Sequence, residues 1–194
     1  MKSYNQAGQE EWVREVLQDK RNGYFVDIGA YDGIESSNTY FLEKELEWDG
    51  ICIESNPAFY QRLTQVRNVN CHLGACMGYE GYAYFHHINT LRVNEQGVNT
   101  VKADTLDSIL ELYNAPKDID YVSLDIEGHE LEVLETFPFE KWNIKLFTIE
   151  HNSYMVGDIY KKPIKELMLS NGYILEKEDV LCPTGPYEDW FVLK

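Results

Sequence analysis

The residues best equipped for chemistry stand where apolar runs stop. Residues 23–33 read GYFVDIGAYDG, a β-favouring run that closes on Asp27, Gly29, Asp32 and Gly33. Glycines there let the backbone take positive φ and let a ligand come close to it. The spacing is D-x-G-x-x-x-G, not the G-x-G-x-x-G of dinucleotide binders. The next such run, GICIES, stops at Glu54, 25 residues past Gly29. In dinucleotide sites an acid at that place takes ribose hydroxyls, and any adenosine-bearing ligand can be held the same way. For either feature alone, a plain glycine turn with a solvated acid is the simpler explanation. Two cofactors compete for the loop, a nicotinamide dinucleotide and S-adenosylmethionine. A pyrophosphate wants a middle glycine and an uncharged cradle, and this loop has Tyr31 beside Asp32. Acids suit a sulfonium that carries an ammonium group better.

A second set of polar residues ends two later runs. Asp125, Glu127 and His129 follow YVSL, and Glu150, His151 and Asn152 follow LFTI. Carboxylate oxygens with an imidazole or amide make a plausible set for Mg²⁺ or Mn²⁺. Asp125, Glu150 and His151 are the metal candidates. Asp125, Glu127 and His151 are the candidates for taking a proton from an acceptor. Clustered acids repel and raise one another's pKa toward a useful base value, unless a metal neutralises them. Asp125 and Glu127 also read as acids that favour the positive end of a following helix. His129 falls in that helix's first turn and is a weaker base candidate. His86 and His87 are adjacent on a strand and point to opposite faces, which disfavours a shared metal. YAYFHH reads as core plus strand face. Tyr154 and Tyr160, after the last of these strand ends, are candidates for lining an acceptor pocket with their aromatic faces.

The elements that must position these residues alternate along the chain. Strands are expected at Tyr24–Ile28, GICIES, NVNCHLGAC, GYAYFHH, IDYVSLDI, IKLFTIEH, YILEKE and DWFVLK. Helices are expected at SSNTYFLEKELEW, NPAFYQRLTQV, TLDSILELYN, GHELEVLETF and IYKKPIKELMLSNG. Asn56 and Thr105 read as N-caps, Pro57 as a first helical residue and Asn171–Gly172 as a C-cap. Residues 1–22 begin with an amphipathic helix whose Trp12, Val13, Val16 and Leu17 share a face, packing on or capping the cofactor side. Alternating strands and helices call for a parallel sheet covered on both faces, with ligands outside the carboxyl ends of the strands.

The chain of 194 residues reads as one domain, with no repeat and no linker. Its net charge of −16 disfavours nucleic acid and anionic membrane surfaces and suits a neutral or cationic substrate. No run of residues matches a membrane span or a signal peptide. Cys52, Cys71, Cys76 and Cys182 form no C-x-x-C pair and read as reduced thiols in a cytoplasmic chain.

The stretch GYFVDIGAYDGIESSNTYFLEKELEWDGICIESNP resembles the first block of the FkbM-type S-adenosylmethionine-dependent methyltransferases. VKADTLDSIL is similar to that family's T-L-D segment, YVSLDIEGHELEVLE to its D-x-E-G-x-E block, and IEHN falls at its next strand end. Tyr31 stands where the family often has Asn. The resemblance implies a Rossmann-like class I methyltransferase fold, α/β with a mostly parallel seven-stranded sheet and an antiparallel last strand. It implies methylation of an oxygen, commonly a sugar or glycan hydroxyl. The cofactor residues expected are Asp27, Gly29, Ala30, Tyr31, Asp32, Gly33, Ser37, Glu54, Ser55, Ala75 and Asp125. A nicotinamide oxidoreductase and an inert cofactor-binding module are the competing readings. The acceptor is expected to be a small molecule or a glycan.

Overall fold

The computed structural model describes residues 4–87, 90–91 and 99–194. Along the chain run α1 (Gln9–Val16), β1 (Tyr24–Ile28), α2 (Tyr40–Leu46), β2 (Asp49–Glu54) and α3 (Pro57–Val66). Then come β3 (Asn70–Leu73), β4 (Ala75–Cys76), β5 (Gly81–His87), β6 (Thr90–Leu91), β7 (Asn99–Asp104) and α4 (Leu106–Leu112). The C-terminal half holds β8 (Asp118–Leu124), α5 (Glu130–Thr136), β9 (Asn143–Glu150), α6 (Ser153–Val156), α7 (Lys161–Ser170), β10 (Tyr173–Cys182) and β11 (Gly185–Leu193).

The main sheet has seven strands in the order β10-β11-β9-β8-β1-β2-β3. β11 runs antiparallel to both β9 and β10, and the remaining pairings are parallel. The strands bury both faces, so alternate residues feed two different cores. Val26, Ile28, Ile51, Ile53, Val122, Leu124, Phe147 and Ile149 face a core closed by α4, α5 and α7. Phe25, Cys52, Tyr121 and Leu146 face the other, closed by α1, α2 and α3. Trp12 of α1 meets Trp190 of β11 at 4.9 Å between ring centroids. The helix expected across the first residues begins at Gln9, after Gly8 at φ 92°.

The local signals for helix ends hold. Asn56 Oδ1 accepts from Ala58 N, with Pro57 the first residue of α3. Thr105 Oγ1 accepts from Ser108 N, and Gly172 closes α7 at φ 90°.

Two expected elements differ. NVNCHLGAC is two strands, broken at Gly74. β3 pairs with β2 in the main sheet, whereas β4 pairs with β7 in a second sheet ordered β4-β7-β5-β6. A Cβ at Gly74 would lie 2.4 Å from His72 Nε2, so only glycine permits this change of sheet. α2 starts at Tyr40 rather than within SSNT, because Ser36 sits at φ 55° and Ser37 Oγ accepts from Thr39 and Tyr40 N–H groups. His86 and His87 lie on β5, and their side chains lie outside the described residues.

Candidate active site

β1, β2 and β8 end side by side, and a cavity of about 360 Å³ opens at their carboxyl ends. Its lining includes Asp27, Gly29, Ala30 and Tyr31 from the first loop, and Ser37 and Asn38 from the segment before α2. Glu54, Ser55 and Phe59 line it from the β2 side, and Ser123, Asp125 and Glu127 from the β8 side. Gln6, ahead of α1, also lines it. Gly29 makes this convergence possible. At φ 92°, a Cβ on it would stand 1.9 Å from the Asp125 carbonyl oxygen, so the β1 and β8 loops meet only because residue 29 has no side chain.

The wall around Asp27 is tied to a buried cation. Thr39 Oγ1 donates to Asp27 Oδ2 at 2.5 Å. Arg67 donates to Thr39 Oγ1 at 2.9 Å and Ser37 Oγ at 3.3 Å, and its Nε pairs with Glu43. Arg67 and Glu43 are both buried. Burial pushes the Asp27 carboxyl up, while Arg67 and Thr39 pull it down. Burial alone would also raise Glu43, but Arg67 and the hydrogen bonds to it hold it below the usual range.

At the β2 end, Glu54 accepts from Tyr31 N at 2.8 Å and from Asn56 N at 2.6 Å. Its carboxyl is nevertheless pushed up to about 7, chiefly by burial. Tyr31, at φ 50°, lays its ring on Phe59 at 4.1 Å between centroids.

The third wall is a carboxyl cluster. Oxygens of Asp125, Glu127 and Glu150 lie within 4.8 Å of one another. Glu150 is buried, and its Oε2 accepts from Glu127 N at 3.1 Å. Burial and the neighbouring acids raise both Asp125 and Glu150, so the hydrogen-bonded pair tends to share a proton. Burial also raises Glu127, whose backbone sits at φ 61°. Glu130 shapes this loop from beneath: its carboxylate accepts from Ile126 N at 2.9 Å and Gly128 N at 3.0 Å. The last acid of the D-x-E-G-x-E block is therefore a loop staple.

Other expected site residues stand elsewhere. Asp32 closes its own turn, with Oδ1 accepting from Ile34 N at 3.0 Å and Glu35 N at 2.9 Å. Gly33 packs under α3, where a Cβ would meet Leu63 at 2.7 Å. Ala75 pairs with Ala103 in the second sheet and is buried there. None of these three lines the cavity. His151 does not join Asp125 and Glu150. It follows Glu150 directly on the strand end and turns to the opposite side. There its Nε2 lies 3.4 Å from Asp189 Oδ1 and its Nδ1 accepts from Ser153 N at 3.1 Å. With Asp179 and Asp189, His151 forms a cluster capped by Lys161, 2.7 Å from Asp179. A ring nitrogen that accepts the Ser153 N–H leaves the proton on Nε2, facing Asp189, so neither nitrogen offers a lone pair to a metal or an acceptor proton. His129 reaches Glu132 at 3.3 Å. Tyr154 is exposed, and the Tyr160 ring lies 3.9 Å from the position a Cβ would take on Gly128.

The comparisons with known proteins agree with the fold. A family model described as the methyltransferase FkbM domain matches residues 27–175. A methyltransferase FkbM from Methylobacillus flagellatus KT superposes with a TM-score of 0.59 at 18% identity, over 89% of this chain and 44% of that one. Precorrin-6y C5,15-methyltransferase from Geobacter metallireducens GS-15 gives a TM-score of 0.56 at 12% identity, over 94% and 86%. A TehB-like SAM-dependent methyltransferase from Corynebacterium glutamicum gives 0.54 at 11% identity, over 96% and 88%. No curated protein matches the sequence. Among the described residues, no helix is long and apolar enough to cross a membrane.

Proposed function

The chain belongs to the FkbM family of S-adenosylmethionine-dependent methyltransferases, and from that premise we propose that it methylates an oxygen, a hydroxyl of a sugar or glycan. The observation that carries this reading is the cavity itself. Acids from β1, β2 and β8 converge on it, and Gly29 leaves room there that any side chain would fill. Bound S-adenosylmethionine supplies a methyl group on a positively charged sulfur. Glu54 stands at the β2 end to take ribose hydroxyls, with Tyr31 and Phe59 beside it for an adenine face. The acids of the other walls face the cationic end.

A sugar hydroxyl is a poor acid, so its proton must be taken as its oxygen attacks. Asp125 is placed to do so. It lines the cavity and is pushed up to about 7 by burial, Glu130 and Glu127, so it is a stronger base than an ordinary aspartate. Glu150, hydrogen-bonded to Asp125, orients its carboxyl. Glu127 is the second candidate from the same loop. A bound S-adenosylmethionine would supply the methyl group to the acceptor oxygen and leave as the neutral thioether S-adenosylhomocysteine, while Asp125 takes the hydroxyl proton. The oxygens of Asp125, Glu127 and Glu150 also fit Mg²⁺ or Mn²⁺, which would relieve their mutual repulsion and lower the acceptor's pKa.

The test is incubation with methyl-labelled S-adenosylmethionine and a panel of neutral sugars and amino sugars, with and without Mg²⁺. The expected result is label in an alkali-stable methyl ether with stoichiometric S-adenosylhomocysteine. Label on nitrogen or carbon instead would overturn the oxygen assignment.

A further inference from the structure

Asn38 lies in the segment between β1 and α2, on the cavity wall, and is 7% exposed. Its Nδ2 donates to Ser123 Oγ at 2.9 Å. The Tyr121 phenol on the same strand lies 2.7 Å from Thr148 Oγ1. With Nδ2 engaged by Ser123, the amide turns its oxygen the other way. The consequence falls on the other amide atom: Asn38 Oδ1 is buried and has no hydrogen-bond partner. Buried acceptors are almost always satisfied, and an exception beside a cavity marks a place where a ligand supplies the donor.

The surroundings define that donor. Among the described residues, the charged side chains lining the cavity are Asp27, Glu35, Glu54, Asp125 and Glu127, with no lysine or arginine. The field there favours a cation. Position narrows the choice. Asn38 is anchored to β8 through Ser123, and Glu54 ends β2, with β1 between those two strands. Neighbouring strands lie about 4.8 Å apart, so an adenosine held at Glu54 directs the rest of the cofactor across β1 toward Asn38.

We infer that Asn38 is a cofactor-binding residue whose Oδ1 accepts a hydrogen bond from the ammonium group of the methionine moiety. This rests on the reading of the cavity as an S-adenosylmethionine site. Asn38 thereby discriminates for the amino-acid end of the cofactor, while Glu54 serves the nucleoside end.

The experiment is calorimetric titration with S-adenosylhomocysteine and with its analogue lacking the amino group. Wild type is expected to prefer the amino compound by about ten- to a hundredfold, the worth of a hydrogen bond to a charged group. Asn38→Ala loses that preference and binds both alike. Asn38→Leu, close in volume, reads the same loss should the alanine chain not fold. Asn38→Asp, which keeps an oxygen in place, retains the preference. A preference surviving in Asn38→Ala or Asn38→Leu would overturn the inference, as would equal weakening of both ligands. Wild type binding neither ligand would instead bring down the S-adenosylmethionine reading, and the inference with it.

Discussion

The two side walls of the cavity surround their acids differently. On the β1 side, Asp27 is reached by Thr39 and Arg67, and Arg67 is paired with Glu43. On the β8 side, Asp125, Glu127, Glu130 and Glu150 crowd together, and burial raises the pKa of each. The first wall carries its own buried cation, Arg67. The second has its acids raised by burial and mutual repulsion. Burying a charge is costly unless it is paired, and an unpaired carboxyl shifts its pKa instead. The unpaired wall is therefore where a cationic ligand, a metal or an acceptor proton has the most to gain. Asp125 and Asp27 are both strand-end aspartates, and the difference between them comes from Arg67, a residue distant in sequence.

The comparison breaks first at Asp125. Asp125→Asn keeps the shape and removes the base, so turnover should fall by about 10²–10⁴-fold, well beyond any loss of cofactor affinity, measured as initial rates of methyl transfer beside calorimetric titration. An equal fall in affinity would make Asp125 a binding group alone. Arg67 comes next. Arg67→Met removes the buried partner of Glu43, leaving it only Lys44 and the Asn68 N–H beside a raised Asp27, and should cost up to about 3–5 kcal/mol in urea unfolding. The same wall predicts that Glu43→Gln in the Arg67→Met background recovers part of that loss.

The smallest effect is the pH dependence of stability. Asp125 and Glu54 are pushed up to about 7 and Glu188 to about 8, in each case mainly by burial. Unfolded carboxyls titrate near 4, so between about pH 4.5 and 8 the folded chain holds more protons than the unfolded one. Its stability then falls as pH rises through that window. Burial lowers the His72 imidazole, which works in the opposite sense around pH 6, but as a single group against several acids. The thermal midpoint of the ligand-free protein should thus drop by several degrees from about pH 5.5 to 8.5. Glu150→Gln should flatten the curve.

Much of the fold was legible because its signals are local. Short apolar runs in β1, β2, β8 and β9 mark strands buried on both faces, and Asn56, Thr105 and Gly172 mark helix ends by chemistry confined to a few residues. The acids at Asp27, Glu54, Asp125 and Glu150 were legible as strand ends. What was not legible depends on partners far along the chain. The break at Gly74 is set by pairing of β4 with β7, and the Arg67 network joins α3 to the segment before α2. His151 looked equivalent to Glu150, but adjacent residues on an extended chain point to opposite sides. Asn38 stood inside a segment read as helix, so its free oxygen had no signal of its own. Asp32 resembled a ligand-facing acid because an acid that closes its own turn has the same sequence as one that faces a ligand.

The most direct measurement is the proton count on cofactor binding. S-adenosylmethionine and S-adenosylhomocysteine differ in charge at the sulfur, so they probe the unpaired wall with and without the sulfonium. Titrating each by calorimetry near pH 7, in buffers of different ionisation enthalpy, reads the protons released. Binding of both, with more protons released by S-adenosylmethionine, is the expected result, because the sulfonium favours ionised Asp125. Binding with equal proton release, or no binding of either, would contradict the assignment of the β8 wall as the one that waits for positive charge.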